Sequence, residues 1–248
     1  MEQNIVEQIR DFSDDRLVNG CLYCGGLEES RDHVPSRVFL DSPFPDQLPV
    51  VGSCVSCNND FSQDEAYVAC LIESVLAGST NPDDIRRERI GDLLRRTPKL
   101  RAKLEAAKTI VADNVQFEVE SKRIRNVVLK LARGHAAFEL SQVCRDEPSS
   151  FRCLPLALMT EVEINDFDAS DVVGYLGEIG SRGMQRMLVA QFNFASPDET
   201  DSTLGAVIND WIDVQENRYR YLAIDDGNDI TVKIVIAEYL ACEVVWTK

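Results

Sequence analysis

The sequence predicts an α+β protein, and three contrasts along its 248 residues carry the prediction. Residues 20–62 are rich in Gly, Pro, Ser, Asn and Cys and show no sustained period, so they need a stabiliser other than an apolar core. From about 64 to 140, apolar residues recur at helical spacing. After about 150 the chain changes to β-rich runs separated by turn residues, which predicts an antiparallel sheet built on the central helices.

Taken in order, residues 1–15 form a short amphipathic pattern with Ile5, Ile9 and Phe12 on one face. DEAYVACLIESVLAG predicts a helix with Val68, Leu71, Ile72 and Val75 inward and Gly78 at its end. Asn81-Pro82 and Thr97-Pro98 are helix starts, predicting helices through DDIRRERIGDLLRR and KLRAKLEAAKTIVA. VQFEVE alternates as a strand does, and KRIRNVVLKLARGHAAFEL has the period of a long helix, with His135 in the core or on a partner surface. LPLALMTEVEI, RMLVAQFNFA, YRYLAID and ITVKIVIAEYLACEVVW are the expected strands.

The formal charge of −16 argues against a protein that coats nucleic acid with its whole surface, because phosphate binding draws on clustered Lys and Arg. The charge is polarised. Residues 86–133 hold 14 basic and 6 acidic residues, whereas 141–248 hold 8 basic and 19 acidic. A nucleic acid would therefore meet the middle segment, unless its charges only solvate helices, and the acidic end would suit a protein partner. No run approaches the ~20 apolar residues of a membrane span, and the N-terminus has no secretory pattern, so a cytoplasmic location and no membrane partner are expected.

Cys21, Cys24, Cys54 and Cys57 form two Cys-x-x-Cys pairs with a 29-residue insert. Two knuckles of two thiolates meet the needs of a tetrahedral structural Zn²⁺, which would order this region. The alternative, a redox pair, calls for one such motif opening a helix after a strand. Cys70, Cys144, Cys153 and Cys242 are expected as small core residues. A closed four-thiolate site has no open position, so any chemistry must come from the loop it pins, where Asp32-His33-Val34-Pro35 lies; Cys57-Asn58 follows at the second knuckle.

Cys21-x-x-Cys24, Asp32-His33 with Pro35, and Cys54-x-x-Cys57-Asn58 resemble the zinc-braced HNH, or ββα-metal, endonucleases over residues 20–75. DHVPSRVFL, DQLPVVGSC, CNNDFSQDEAY and KLARGHAAFEL resemble bacterial HNH proteins with an uncharacterised C-terminal region. The resemblance implies His33 as general base, Asp32 and Asn58 as ligands of a catalytic Mg²⁺ or other divalent ion, and DNA as the expected substrate. The family's middle Asn is absent, leaving Gln47 as the nearest amide. The Lys often found after the second knuckle is absent too, replaced by Asp60 and Asp64-Glu65. Glu65, two helical turns beyond Asn58, could add a ligand or an outer contact, although a solvated acid is the simpler expectation. The expected organisation is a zinc-braced ββα module with its N-terminal helix over 1–80, a basic helical region over 81–141, and an acidic β-rich α+β domain over 142–248. The other expectation is a catalytically inactive zinc-braced module that binds nucleic acid or a protein. Phage defence would suit such a nuclease.

Overall fold

The computed structural model describes residues 20–46, 48–112, 114–174, 182–194 and 202–248. The helix expected over 1–15 and the side chain of Gln47 lie outside these. Two short strands, β1 (Ser30–His33) and β2 (Val50–Ser53), pair antiparallel with Ser30 opposite Ser53 and His33 opposite Val50. Helix α1 (Val55–Ala77) follows at once. It begins well before the periodic stretch at Asp64, because Cys54 is its N-cap and accepts the Cys57 amide at 3.3 Å. Gly78 ends it in the left-handed region, at φ 63°.

Helices α2 (Glu88–Arg96) and α3 (Pro98–Ala107) follow. Pro98 opens α3 as expected, but Asn81-Pro82 opens only a 3₁₀ turn, and the chain resumes as a helix six residues later. The KTIV run leaves α3 as strand β3 (Lys108–Val111) and pairs with β4 (Asn114–Phe117), since its β-branched residues suit a pleated ribbon. The long helix α4 (Ser121–Leu140) then crosses the molecule.

The remaining elements are β5 (Ser150–Pro155), α5 (Glu161–Asp168), β6 (Asp171–Val172), α6 (Arg182–Arg186), β7 (Leu188–Phe194), β8 (Ser202–Asn209), β9 (Ile212–Gln215), β10 (Tyr219–Asp225), β11 (Asp229–Ile236) and β12 (Leu240–Thr247). Five of the strands make an antiparallel sheet in the order β5-β12-β11-β10-β9, and three make a smaller one, β6-β8-β7. The run LPLALMTEVEI is a strand only as far as Pro155. Its TEVE stretch is a helix start, with the Thr160 hydroxyl and the Glu163 carboxylate closing a capping box.

The main core takes Tyr67, Val68 and Leu71 from α1, Ile90 and Leu94 from α2, Val127, Val128 and Leu131 from α4, and Val232, Ile234 and Val244 from the sheet. A second, smaller core lies under the hairpin and joins Cys21, Leu22, Tyr23, Val34, Val51 and Phe61 to Ala137 and Phe138 of α4. Helix α4 therefore serves both cores. It can do so because Gly134 lies against Val34, where an added Cβ would stand 2.6 Å from a Val34 methyl. That close approach carries Lys130, one turn earlier on the same face, to the end of β1.

Candidate functional site

The hairpin is anchored by the cysteines. The sulfurs of Cys21, Cys24, Cys54 and Cys57 lie within 4.8 Å of one another, a donor set that could hold a metal ion such as zinc. Each knuckle is shaped by its backbone: Gly20 and Gly25 take positive φ, the Gly26 amide points to Cys24 Sγ at 3.4 Å, and the Cys57 amide points to Cys54 Sγ at 3.3 Å. Burial raises the Cys21 pKa, but hydrogen bonds from the backbone at Cys54, Cys24 and Tyr23 and from the Cys24 side chain outweigh it and lower the value to about 6. Cys57 is raised, by burial first and then by its three sulfur neighbours. A divalent cation held by the four sulfurs would favour their thiolate forms. Arg145 ties this region to the chain after α4 by donating to the carbonyls of Leu22 at 3.1 Å and Cys21 at 3.2 Å.

Asp32 is buried in β1, directly before His33. The Tyr23 hydroxyl donates to its Oδ2 at 2.7 Å, and the Lys130 ammonium reaches Oδ1 at 2.9 Å and Oδ2 at 2.8 Å. Lys130 is 1 % exposed. Its other partners are Ser36 Oγ, at 2.7 Å, and Glu65. The Ser36 hydroxyl in turn donates to Glu65 at 2.5 Å. One ammonium with three donors thus meets one aspartate, one hydroxyl and one glutamate. Asn58 is elsewhere: its amide donates to Ser30 Oγ at 3.3 Å, one strand repeat before Asp32.

His33 faces a cleft of about 560 Å³ whose polar lining includes Asp32, Glu65, Arg37, Arg89 and Arg96. The His33 pKa is lowered by burial first and then by Arg37 and Lys130, against the opposing pull of Asp32, so its neutral form is favoured. Arg37, Arg89 and Arg96 are exposed, and Arg37 and Arg89 both lie over the Phe44 ring, at 5.5 and 5.2 Å. Arg89 is held below its usual range by burial first and then by the fields of Arg87, Arg37 and Arg96. The mouth of the cleft therefore carries more positive than negative charge, as an anion site does.

Compared with known proteins, the chain matches no family model, no curated protein and no solved structure.

The structure brings Asp32, His33 and Glu65 to one cleft and leaves Asn58 beside Ser30. Among the described residues, the four cysteines are the one group of three or more Cys, His, Asp or Glu side chains close enough together to hold a metal. The divalent ion expected at Asp32 and Asn58 does not fit these residues as they stand: both Asp32 oxygens already accept hydrogen bonds from Tyr23 and Lys130, and the Asn58 amide is engaged with Ser30. Glu65 is turned inward instead of being solvated. His135 is fully buried, stacked on Tyr221 at 3.7 Å and hydrogen-bonded to Tyr219 at 2.8 Å. Sequence reasoning missed Lys130 and Arg37. Lys130 looked like one more charge in a basic helix, and only its place four residues before Gly134 among apolar neighbours hinted that it points inward.

Several basic residues of the middle segment are engaged in ion pairs. Arg87 is buried against Asp41 and Glu73, Arg95 pairs with Asp83 and Asp92, Lys103 with Glu120, Arg123 with Asp64 and Glu120, and Arg125 with Glu147. Arg89 and Arg96 are the basic residues of that segment that line the cleft. No helix among the described residues is long and apolar enough to cross a membrane.

Proposed function

We propose that this chain is an HNH-type endonuclease that hydrolyses phosphodiester bonds of nucleic acid, most simply DNA, in the cleft at His33, with arginines in place of the divalent ion that the resemblance implies. The observation that supports this best is an imidazole favoured in its neutral form in the same cleft as three exposed guanidiniums. The order of hairpin, helix and four-cysteine cluster agrees with the resemblance to that family.

In this reading the arginines take the non-bridging oxygens of one phosphate and stabilise the charge that grows on them as water attacks phosphorus. His33 accepts the proton that the water loses, one P–O ester bond breaks, and the leaving oxygen takes a proton from solvent. The zinc expected at the cysteines would hold the hairpin in place and contribute no step.

A second reading, a module that binds nucleic acid without cutting it, is favoured by Lys130, which occupies both carboxylates near His33. One experiment separates the two. Single- and double-stranded DNA and RNA are incubated with the full chain, and both retention and cleavage are followed. The endonuclease reading expects new termini that His33→Ala does not produce. Retention without cleavage on every polymer selects the binding module, and neither retention nor cleavage sinks both.

A further inference from the structure

The residues near His33 do not fit a divalent ion, and the reason is chemical. The place between the two carboxylates is already filled by a cation belonging to the protein. Lys130 reaches it from α4, the helix that also carries Gly134, and the contact of Gly134 with Val34 sets how closely that helix approaches the hairpin. All three ammonium hydrogens have acceptors, in Asp32, Ser36 and Glu65, and the nitrogen has no lone pair with which to join a coordination shell. A divalent ion at Asp32 would have to displace Lys130 into an apolar surrounding or stand beside it, and like charges so close in a buried place repel strongly.

We propose that Lys130 is the resident cation of this site and that Asp32 and Glu65 bind no divalent metal while it is there. Lys130 is a positioning residue in this role: it fixes Asp32 and Ser36, and with them the end of β1 that presents His33. The inference rests on the HNH reading only for which ion is at issue. Its test reads metal occupancy, so a protein that cuts nothing can still satisfy it.

The test uses the full chain with its cysteine site loaded with zinc, and follows free and bound Mn²⁺ by electron paramagnetic resonance. Wild type and Asp32→Asn should bind Mn²⁺ equally, whether weakly or not at all. Lys130→Met should gain one Mn²⁺ site, and Lys130→Met combined with Asp32→Asn should lose it again. Wild-type protein that holds about one Mn²⁺, with affinity reduced tenfold or more by Asp32→Asn, would overturn the proposal. A folded Lys130→Met protein that gains no site would overturn it as well. Should Lys130→Met fail to fold, the comparison of wild type with Asp32→Asn still decides.

Discussion

His33 owes its proposed role to its surroundings. Burial and the positive charges of Arg37 and Lys130 disfavour the imidazolium, while Asp32 partly restores it. A base of lowered pKa is neutral, and so competent, at any pH above 6.5 and loses competence only as pH falls through its lowered value. Cleavage should accordingly be level from pH 6.5 upward and decline below it. A rising limb centred above pH 6.5 in the pH–rate profile would remove His33 as the base.

The other histidine reports on stability. His135 has a folded-state pKa near 3 against 6.5 for a free imidazole, with burial as the main cause and Arg186 second. Between those values the unfolded chain takes up a proton that the native chain does not, so its contribution is intact above pH 6.5 and is lost as pH falls towards 3. From pH 6.5 to 5 the loss is about 2 kcal/mol. Urea unfolding at those two pH values should show a drop that shrinks by about that amount in His135→Gln. An unchanged drop would mean that other groups set the acid sensitivity. Lys130→Met should cost about 3–5 kcal/mol at neutral pH, because it leaves two buried or half-buried carboxylates facing each other.

At the scale of elements, α4 is the part on which the site depends. Gly134→Ala should raise intrinsic helix propensity by about 1 kcal/mol and still destabilise the protein, since the new Cβ meets both Val34 methyls, at 2.6 and 2.9 Å. Val34 is β-branched, directly follows His33, and has little freedom to yield. The expected net loss is about 1–3 kcal/mol, visible as a lower Tm, together with a disturbed Lys130 cluster. A Tm equal to or above that of wild type would show that the helix and hairpin are less tightly held than described. Helices with strong periods and marked ends, such as α1 at Gly78 and α3 at Pro98, were legible because their signals are local. So was the four-cysteine set, whose spacing is its chemistry. The helix at TEVE was misread because a short capping signal sits inside an apolar β-like run. The tight turn at Ala237-Glu238 lacks the glycine or asparagine that usually marks positive φ. The Lys130 cluster was invisible because its members are 94 and 98 residues apart and only tertiary packing joins them.

For the whole molecule, the net charge of −16 sets the background against which the cleft must act. Three exposed arginines on an acidic protein give a local anion site, so binding of nucleic acid should be weak and only modestly dependent on salt, roughly −0.9 in log–log slope for each phosphate contacted. Replacing Arg37, Arg89 and Arg96 by Gln should flatten that dependence, as measured by fluorescence anisotropy of a labelled oligonucleotide, and an unchanged slope would place the contact elsewhere. Removing the metal expected at the four cysteines with a strong chelator should unfold the hairpin and its small core before the main core, because Cys21 belongs to that small core and Cys54 and Cys57 pack against it. Hydrogen exchange would then show early loss of protection at Val50–Ser53 and later loss in β10–β12. The most direct test of the account is the cleavage rate of zinc-loaded full-length protein on plasmid and oligonucleotide substrates, with and without added Mg²⁺ or Mn²⁺, for wild type and His33→Ala. Wild type should cut at the same rate whether or not the added ion is present, and His33→Ala about 10²–10⁴-fold more slowly. Cleavage that requires the added ion, or that proceeds as well without His33, would contradict it.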